Sequence, residues 1–256
     1  MKFDIIVQAG QSNAGGCGRG EVEKEFIPSQ KVWLLEAQKT VEIGEDNMYI
    51  TYHDAPFVLK VAEEEVVEGA KLGQFGLSFA EEYINAGLLA EDRALLIIRA
   101  AIGGTGFKKN HWGVGKQLYN KLLEMVDYAL GLNEENRVVG LLWHQGEHDA
   151  FEGNLPEIFK QQLKEQFLAI RARYGNMPII AGDFVNEWKS KNLASCEPIV
   201  AKIQETVAEI GNGGFVETSD LPSNNQKIGN GDDIHFCRAS QYTLGRRYFE
   251  IFKNCK

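Results

Sequence analysis

The chain has 256 residues, 44% of them hydrophobic, 25% charged and 10% aromatic, which fits one sizeable buried core and excludes a disordered or fibrous chain. A formal charge of −9 lacks the basic face that phosphate neutralisation requires, so nucleic acid is excluded as a partner. No stretch approaches the ~18 apolar residues of a membrane helix and no basic segment followed by an apolar run opens the chain, so no membrane partner and a cytoplasmic address are expected, with a secreted mature form as the alternative.

In chain order, the first strand is "FDIIVQA" (3–9), running directly into the loop "GQSNAGG" (10–16). A second strand, "KVWLLE" (31–36), leads into residues 36–75, whose acidic runs and scattered aromatics show no clear period and read as an irregular insertion near the site. Then come a helical pattern at 77–89, the strand "RALLIIRA" (93–100) and the loop "AIGGTGFKKNHW" (101–112). A helix is expected over 116–131, where Leu118, Leu122, Met125, Val126 and Ala129 share one face and Gly131 supplies a stop. The strand "RVVGLLW" (137–143) feeds "HQGEHDA" (144–150), and a long helix spans 155–175. The strand "MPIIAGDF" (177–184), a helix at 197–211, the strand "GGFVET" (213–218), the loop "GNGDDIHF" (229–236) and a helix at 240–253 complete the chain.

Several strands are apolar on both faces, as buried parallel strands are, and amphipathic helices alternate with them. The expected fold is α/β, a three-layer α/β/α sandwich around a central parallel sheet, in a single domain over 1–256. In such sheets ligands bind beyond the carboxyl ends of the strands, and the polar chemistry of this sequence is concentrated in those loops.

Ser12 is the lone hydroxyl in its loop. A serine at a tight strand-to-helix turn exposes both its hydroxyl and its own N–H, which suits attack on a carbonyl and stabilisation of the oxyanion. A cap or turn serine is the commoner role, and the surrounding glycines and amides tip the reading to a nucleophile. The loop matches neither phosphate-binding glycine pattern. Of five histidines, His235 is best placed as the base, because Asp232, three residues earlier, can turn back to hold Nδ1–H; Asp233 is the neighbouring alternative. Gln145 can donate its side-chain amide to an oxyanion, and Gly103 or Gly104 a backbone N–H.

The rival reading is a zinc hydrolase using His144, Glu147 and His148, an H-x-x-E-H pattern that depends on a helix which Gly146 disfavours at a strand's end. The four cysteines, Cys17, Cys196, Cys237 and Cys255, form no C-x-x-C pair and read as free thiols, with Cys17 a rival nucleophile only beside a cation. No metal and no cofactor are expected.

Together "GQSN", "GGTG" with its trailing Trp112, "WHQGEHD" and "DDIH" resemble, in order along the chain, the blocks of the SGNH hydrolases, and within them the sialate O-acetylesterase-like group that includes carbohydrate esterase family six and its acetylxylan esterases. The resemblance implies a flavodoxin-like SGNH fold and a serine acetylesterase acting on an acetylated carbohydrate or other small ester. In it Ser12 attacks, His235 is base and then acid, Asp232 orients it, and Ser12, Gly104 and Gln145 form the oxyanion hole. Gln11, Asn13, Trp112 and Glu147 are expected to contact substrate, with Glu147 and Asp149 also holding their loop. Asn110, His111 and Glu187 are further candidates for sugar hydroxyls. Ala14, His148 and Phe236 depart from residues common in the group. A binding protein of the same fold without catalysis is the alternative from another class, and nothing in the sequence sets an oligomeric state.

Overall fold

The computed structural model describes residues 1–45 and 47–255. Strand β1 (Lys2–Gly10) is followed by a helical turn α1 (Ser12–Gly15), β2 (Val32–Glu36), β3 (Lys39–Ile43), β4 (Met48–Tyr52), β5 (Val58–Val61), β6 (Glu65–Val67) and β7 (Ala70–Leu72). Helix α2 (Phe75–Asn85), β8 (Arg93–Ala101), α3 (Gln117–Gly131), β9 (Arg137–His144), α4 (Glu147–Phe151) and α5 (Pro156–Tyr174) come next. The chain ends with β10 (Ile179–Gly182), α6 (Asn186–Lys191), α7 (Leu193–Ile210), β11 (Gly213–Val216), α8 (Asn224–Ile228) and α9 (Arg238–Phe252).

Seven strands form one sheet in the order β11-β10-β9-β1-β8-β2-β5, every neighbouring pair parallel except β2 with β5. The period of two in β1 sends Ile5, Val7 and Ala9 to one face, where α3, α5 and α7 supply Leu122, Phe167 and Ile203, and Ile6 to the other, where α2 and α9 supply Phe79 and Phe249. This is the α/β/α sandwich that the alternating pattern implies. At the amino end of the sheet the buried Asp4 carboxylate is held by Arg93 Nε and Arg137 Nε at 2.7 Å each and by the Tyr83 hydroxyl at 2.8 Å, so a charge under the core is paired rather than orphaned. Among the described residues no helix is long and apolar enough to cross a membrane.

The described residues of 36–75 are not irregular: they build two small hairpins, β3–β4 and β6–β7, and the antiparallel edge strand β5. The β3–β4 hairpin is mostly exposed on both faces, so its sequence lacks the alternation that betrays a half-buried strand. It is tied to the body of the molecule by Gln117 Nε2, which donates to Ile50 O at 2.7 Å, and by Lys121 over the Tyr52 ring at 4.8 Å.

Candidate active site

Three loops meet where β8, β1 and β9 end side by side. Gly10, at φ 139°, sits so close to β9 that a Cβ there would stand 2.0 Å from His144 O, and only glycine allows the strands to converge at this point. Gln11 N–H then donates to His144 O at 3.0 Å, and Ser12 opens the α1 turn half-buried at the mouth of a cleft. Its Oγ lies 2.9 Å from His235 Nε2, and His235 Nδ1 lies 2.9 and 3.0 Å from the two oxygens of Asp232. A carboxylate at Nδ1 places the ring proton there, leaving Nε2 as the acceptor for the Ser12 hydroxyl. Burial works to raise the Asp232 pKa, but hydrogen bonds from His235 and from Asn224 Nδ2, at 2.8 Å, hold it below the ordinary carboxylate range.

Asn13 fixes this spacing. From the residue after Ser12, its Oδ1 accepts from Phe236 N–H at 3.1 Å and its Nδ2 donates to Ile234 O at 3.1 Å, so one buried amide grips the backbone on both sides of His235. The same Nδ2 donates to Glu147 Oε1 at 2.9 Å, in keeping with the orientation that the Phe236 N–H and Ile234 carbonyl impose on the amide. Asn13 and Glu147 are both fully buried, so neither is a surface for a sugar; the expected substrate contacts at these positions are internal braces. Gln11, 3% exposed, accepts from His148 N–H at 3.2 Å and from Gly146 N–H at 3.4 Å, pinning α4. Trp112 is likewise buried, its Nε1 donating to Thr105 Oγ1 at 3.1 Å and its ring edge-on to Trp143. For all four the correction has one cause: loop residues beside a strand's end are as able to close the core as to face solvent.

The loop after β8 brings Gly103 against Ser12, a Cβ at 103 standing 3.3 Å from Ser12 Cβ. Gly104 adopts φ 69°, in the left-handed region, which turns its peptide as a side chain-bearing residue would resist. Among the described residues, neither the Ser12 N–H nor the Gly104 N–H donates to a protein acceptor. Gln145 differs from its expected place in the oxyanion hole. Its Nε2 donates to Asp149 Oδ2 at 2.6 Å and to Thr105 O at 3.3 Å, so both amide hydrogens are engaged, the shorter and stronger bond being the one to the carboxylate. Asp149 also accepts from Phe107 N–H at 3.0 Å, Lys108 N–H at 2.8 Å and Asn154 Nδ2 at 2.8 Å, tying the loops after β8 and β9 into one unit.

His144, Glu147 and His148 do not converge as metal ligands. His144 is buried at the end of β9; the Tyr248 hydroxyl donates to Trp143 O at 2.7 Å, so His144 Nδ1 donates to Tyr248 Oη at 3.0 Å. Burial pulls the His144 pKa down to about 3 and pushes the neighbouring Glu147 carboxyl up. His148 faces a second cleft of about 290 Å³ beyond Gly104, opposite His111 with ring centres 6.0 Å apart. No group of three or more metal-ligating side chains occurs among the described residues. His111 is fixed by Gly106 N–H on Nδ1 at 3.2 Å and by Asn47 Oδ1 at 2.9 Å on Nε2. Asn110 is exposed, and Glu187 holds Ser223, Asn225 and Gln226 around α8, contacts that pull its pKa down to about 2. The four cysteines are free; burial first, then the Asp232 and Glu147 carboxylates, push the Cys17 thiol up, opposite to the shift a nucleophilic thiol needs.

Two features escape a sequence reading. Asn224 steadies Asp232 from eight residues upstream while its Oδ1 accepts from Arg19 N–H at 2.7 Å, a link that only the tertiary fold creates. Arg99 binds Glu36, Glu65 and, at 2.9 Å, Gly15 O, anchoring the Ser12 turn to the 36–75 segment; a charge closing an otherwise apolar strand was its one signal.

A serine, a histidine and an aspartate hydrogen-bonded in a row at the carboxyl ends of a parallel sheet have the arrangement of SGNH-type serine hydrolases. The family model described as "Carbohydrate esterase, sialic acid-specific acetylesterase" matches residues 2–254, and the chain belongs to that family. It is 23% identical over 245 residues, 80% of this chain and 74% of the relative, to the probable 9-O-acetyl-N-acetylneuraminic acid deacetylase of Escherichia coli strain K12. Its fold is similar to that of NanS, with a TM-score of 0.73 and 18% identity over 99% of this chain and 97% of that one. An Arabidopsis thaliana protein is alike to a similar degree, with a TM-score of 0.72 and 18% identity over 98% of each chain. The protein is a carboxylic ester hydrolase that removes O-acetyl groups from carbohydrate.

Proposed function

We propose that the substrate is an O-acetylated sialic acid and that Ser12 cleaves it through an acetyl-enzyme. The observation that carries the chemistry is the unbroken hydrogen-bonded row Ser12 Oγ, His235, Asp232 at the mouth of the cleft. The family and the deacetylase relative support this choice of substrate.

Ser12 Oγ attacks the acetyl carbonyl carbon as His235 Nε2 takes its proton, and Asp232 stabilises the imidazolium. The carbonyl oxygen becomes an oxyanion received by the Ser12 and Gly104 N–H groups; each such donor contributes on the order of 10²–10³ in rate. As the C–O bond to the sugar breaks, His235 returns the proton to the departing sugar oxygen. Water, deprotonated by His235, then attacks acetyl-Ser12 and releases acetate. Gln145 takes part by bracing Thr105, and with it the turn that presents Gly104, rather than by donating to the oxyanion.

Acetate release from 9-O-acetylated N-acetylneuraminic acid and from acetylated xylo-oligosaccharides tests this. Turnover of the first is expected. Turnover of the xylan fragments alone overturns the sialic acid assignment, and acetate from neither overturns the esterase.

A further inference from the structure

The cleft at Ser12 has a volume of about 240 Å³ and is walled opposite the nucleophile turn by Glu36, Lys39, Glu65 and Arg99. These charges are not equally occupied. Arg99 is largely engaged, its Nε and Nη2 donating to Glu36, Nη2 also to Glu65 and Nη1 to Gly15 O, and Glu36 also lies 3.6 Å from Lys60 Nζ. Lys39, the first residue of β3, is the exception. It is half-buried, and among the described residues its ammonium neither donates a hydrogen bond nor pairs with a carboxylate. Burial first, and then the nearby Arg99 charge, lower its pKa against the opposing pull of Glu36 and Glu65. A partly dehydrated ammonium without an acceptor is unfavourable ground, and an anion delivered by a ligand relieves it.

We propose that Lys39 is the specificity residue of this cleft, binding a carboxylate carried by the acetylated sugar. The inference rests on the reading of the Ser12 cleft as the ester site. Arg99, although more often the residue that reads carboxylates, already has its charge countered by Glu36 and Glu65, which leaves Lys39 as the cleft's unpaired cation among the described residues. A neutral sugar seated here would further dehydrate Lys39 without giving it a partner, so discrimination comes from the penalty on the wrong ligand as much as from attraction to the right one.

Calorimetric titration of the whole chain with N-acetylneuraminic acid and with its uncharged carboxamide tests this without turnover. The acid is expected to bind tighter by about tenfold or more, with the advantage shrinking as salt rises. Lys39→Gln should bring the ratio of the two affinities close to one, and Lys39→Arg should restore most of it. Equal binding of acid and carboxamide by the wild type, discrimination that survives in Lys39→Gln, or no saturable binding of the acid each overturns the proposal. Because no acetate is measured, failure of the esterase reading and failure of the Lys39 subsite are separately visible.

Discussion

In the proposed mechanism Ser12 depends on a proton acceptor, His235, whose tautomer is set by Asp232. Asp232 receives His235 Nδ1–H and is itself held by Asn224, so the lone pair on Nε2 faces Ser12. Asp232→Asn keeps the size of the side chain but presents an amide that can invert the tautomer, and kcat should fall by about 10²–10⁴ with little change in the unfolding temperature. Steady-state kinetics beside a thermal melt check this; a kcat within a few-fold of wild type would remove Asp232 from the account. At this scale the sequence was legible where chemistry leaves a residue signature: the lone serine of a glycine-rich turn and a histidine three residues after an aspartate. It was silent on direction. Gln11, Asn13, Glu147 and Trp112 stand in the right loops yet face inward, and side-chain orientation is decided by what packs above them.

The elements that matter most are the α1 turn and the loop before α9, joined through Asn13. Removing that amide in Asn13→Ala leaves Phe236 N–H, Ile234 O and Glu147 without their partner and frees His235 to drift. A displacement of about 1 Å in a catalytic group can cost on the order of 10²-fold in rate, so kcat should drop by roughly 10–100-fold while KM moves only a few-fold. A rise in KM at constant kcat would instead make Asn13 a substrate contact. The long helices and central strands were readable because each presents several turns of apolar period to one face of the sheet. Helices α1, α4, α6 and α8, of four to six residues, are too short to show a period, and the exposed β3–β4 hairpin shows none. The segment that carries Lys39 was therefore the least legible part of the fold.

On the scale of the molecule, the sheet separates stability from chemistry: the Asp4 cluster locks its amino end and the site occupies the other. One buried group near the site couples the two. His144 stays neutral in the folded chain down to about pH 3, whereas in the unfolded chain it takes up a proton near ~6.5. Between those values the unfolded state binds the extra proton, so the contribution of His144 is fully present above ~6.5 and is lost progressively as pH falls toward 3, by on the order of a few kcal/mol in all. Glu147, whose folded pKa is raised, acts in the opposite sense, favouring the folded state as pH falls through that raised value. Denaturant unfolding across this range should show a stability slope that is shallower in His144→Gln than in wild type, and equal slopes would contradict it. The central claim, however, is that Ser12 is an activated nucleophile. It is tested most directly by treating the intact protein with a fluorophosphonate and mapping the adduct by mass spectrometry. A single adduct on Ser12, absent in folded Ser12→Ala, is the predicted result; a folded wild-type chain that takes up no label, or takes it at another residue, would contradict it.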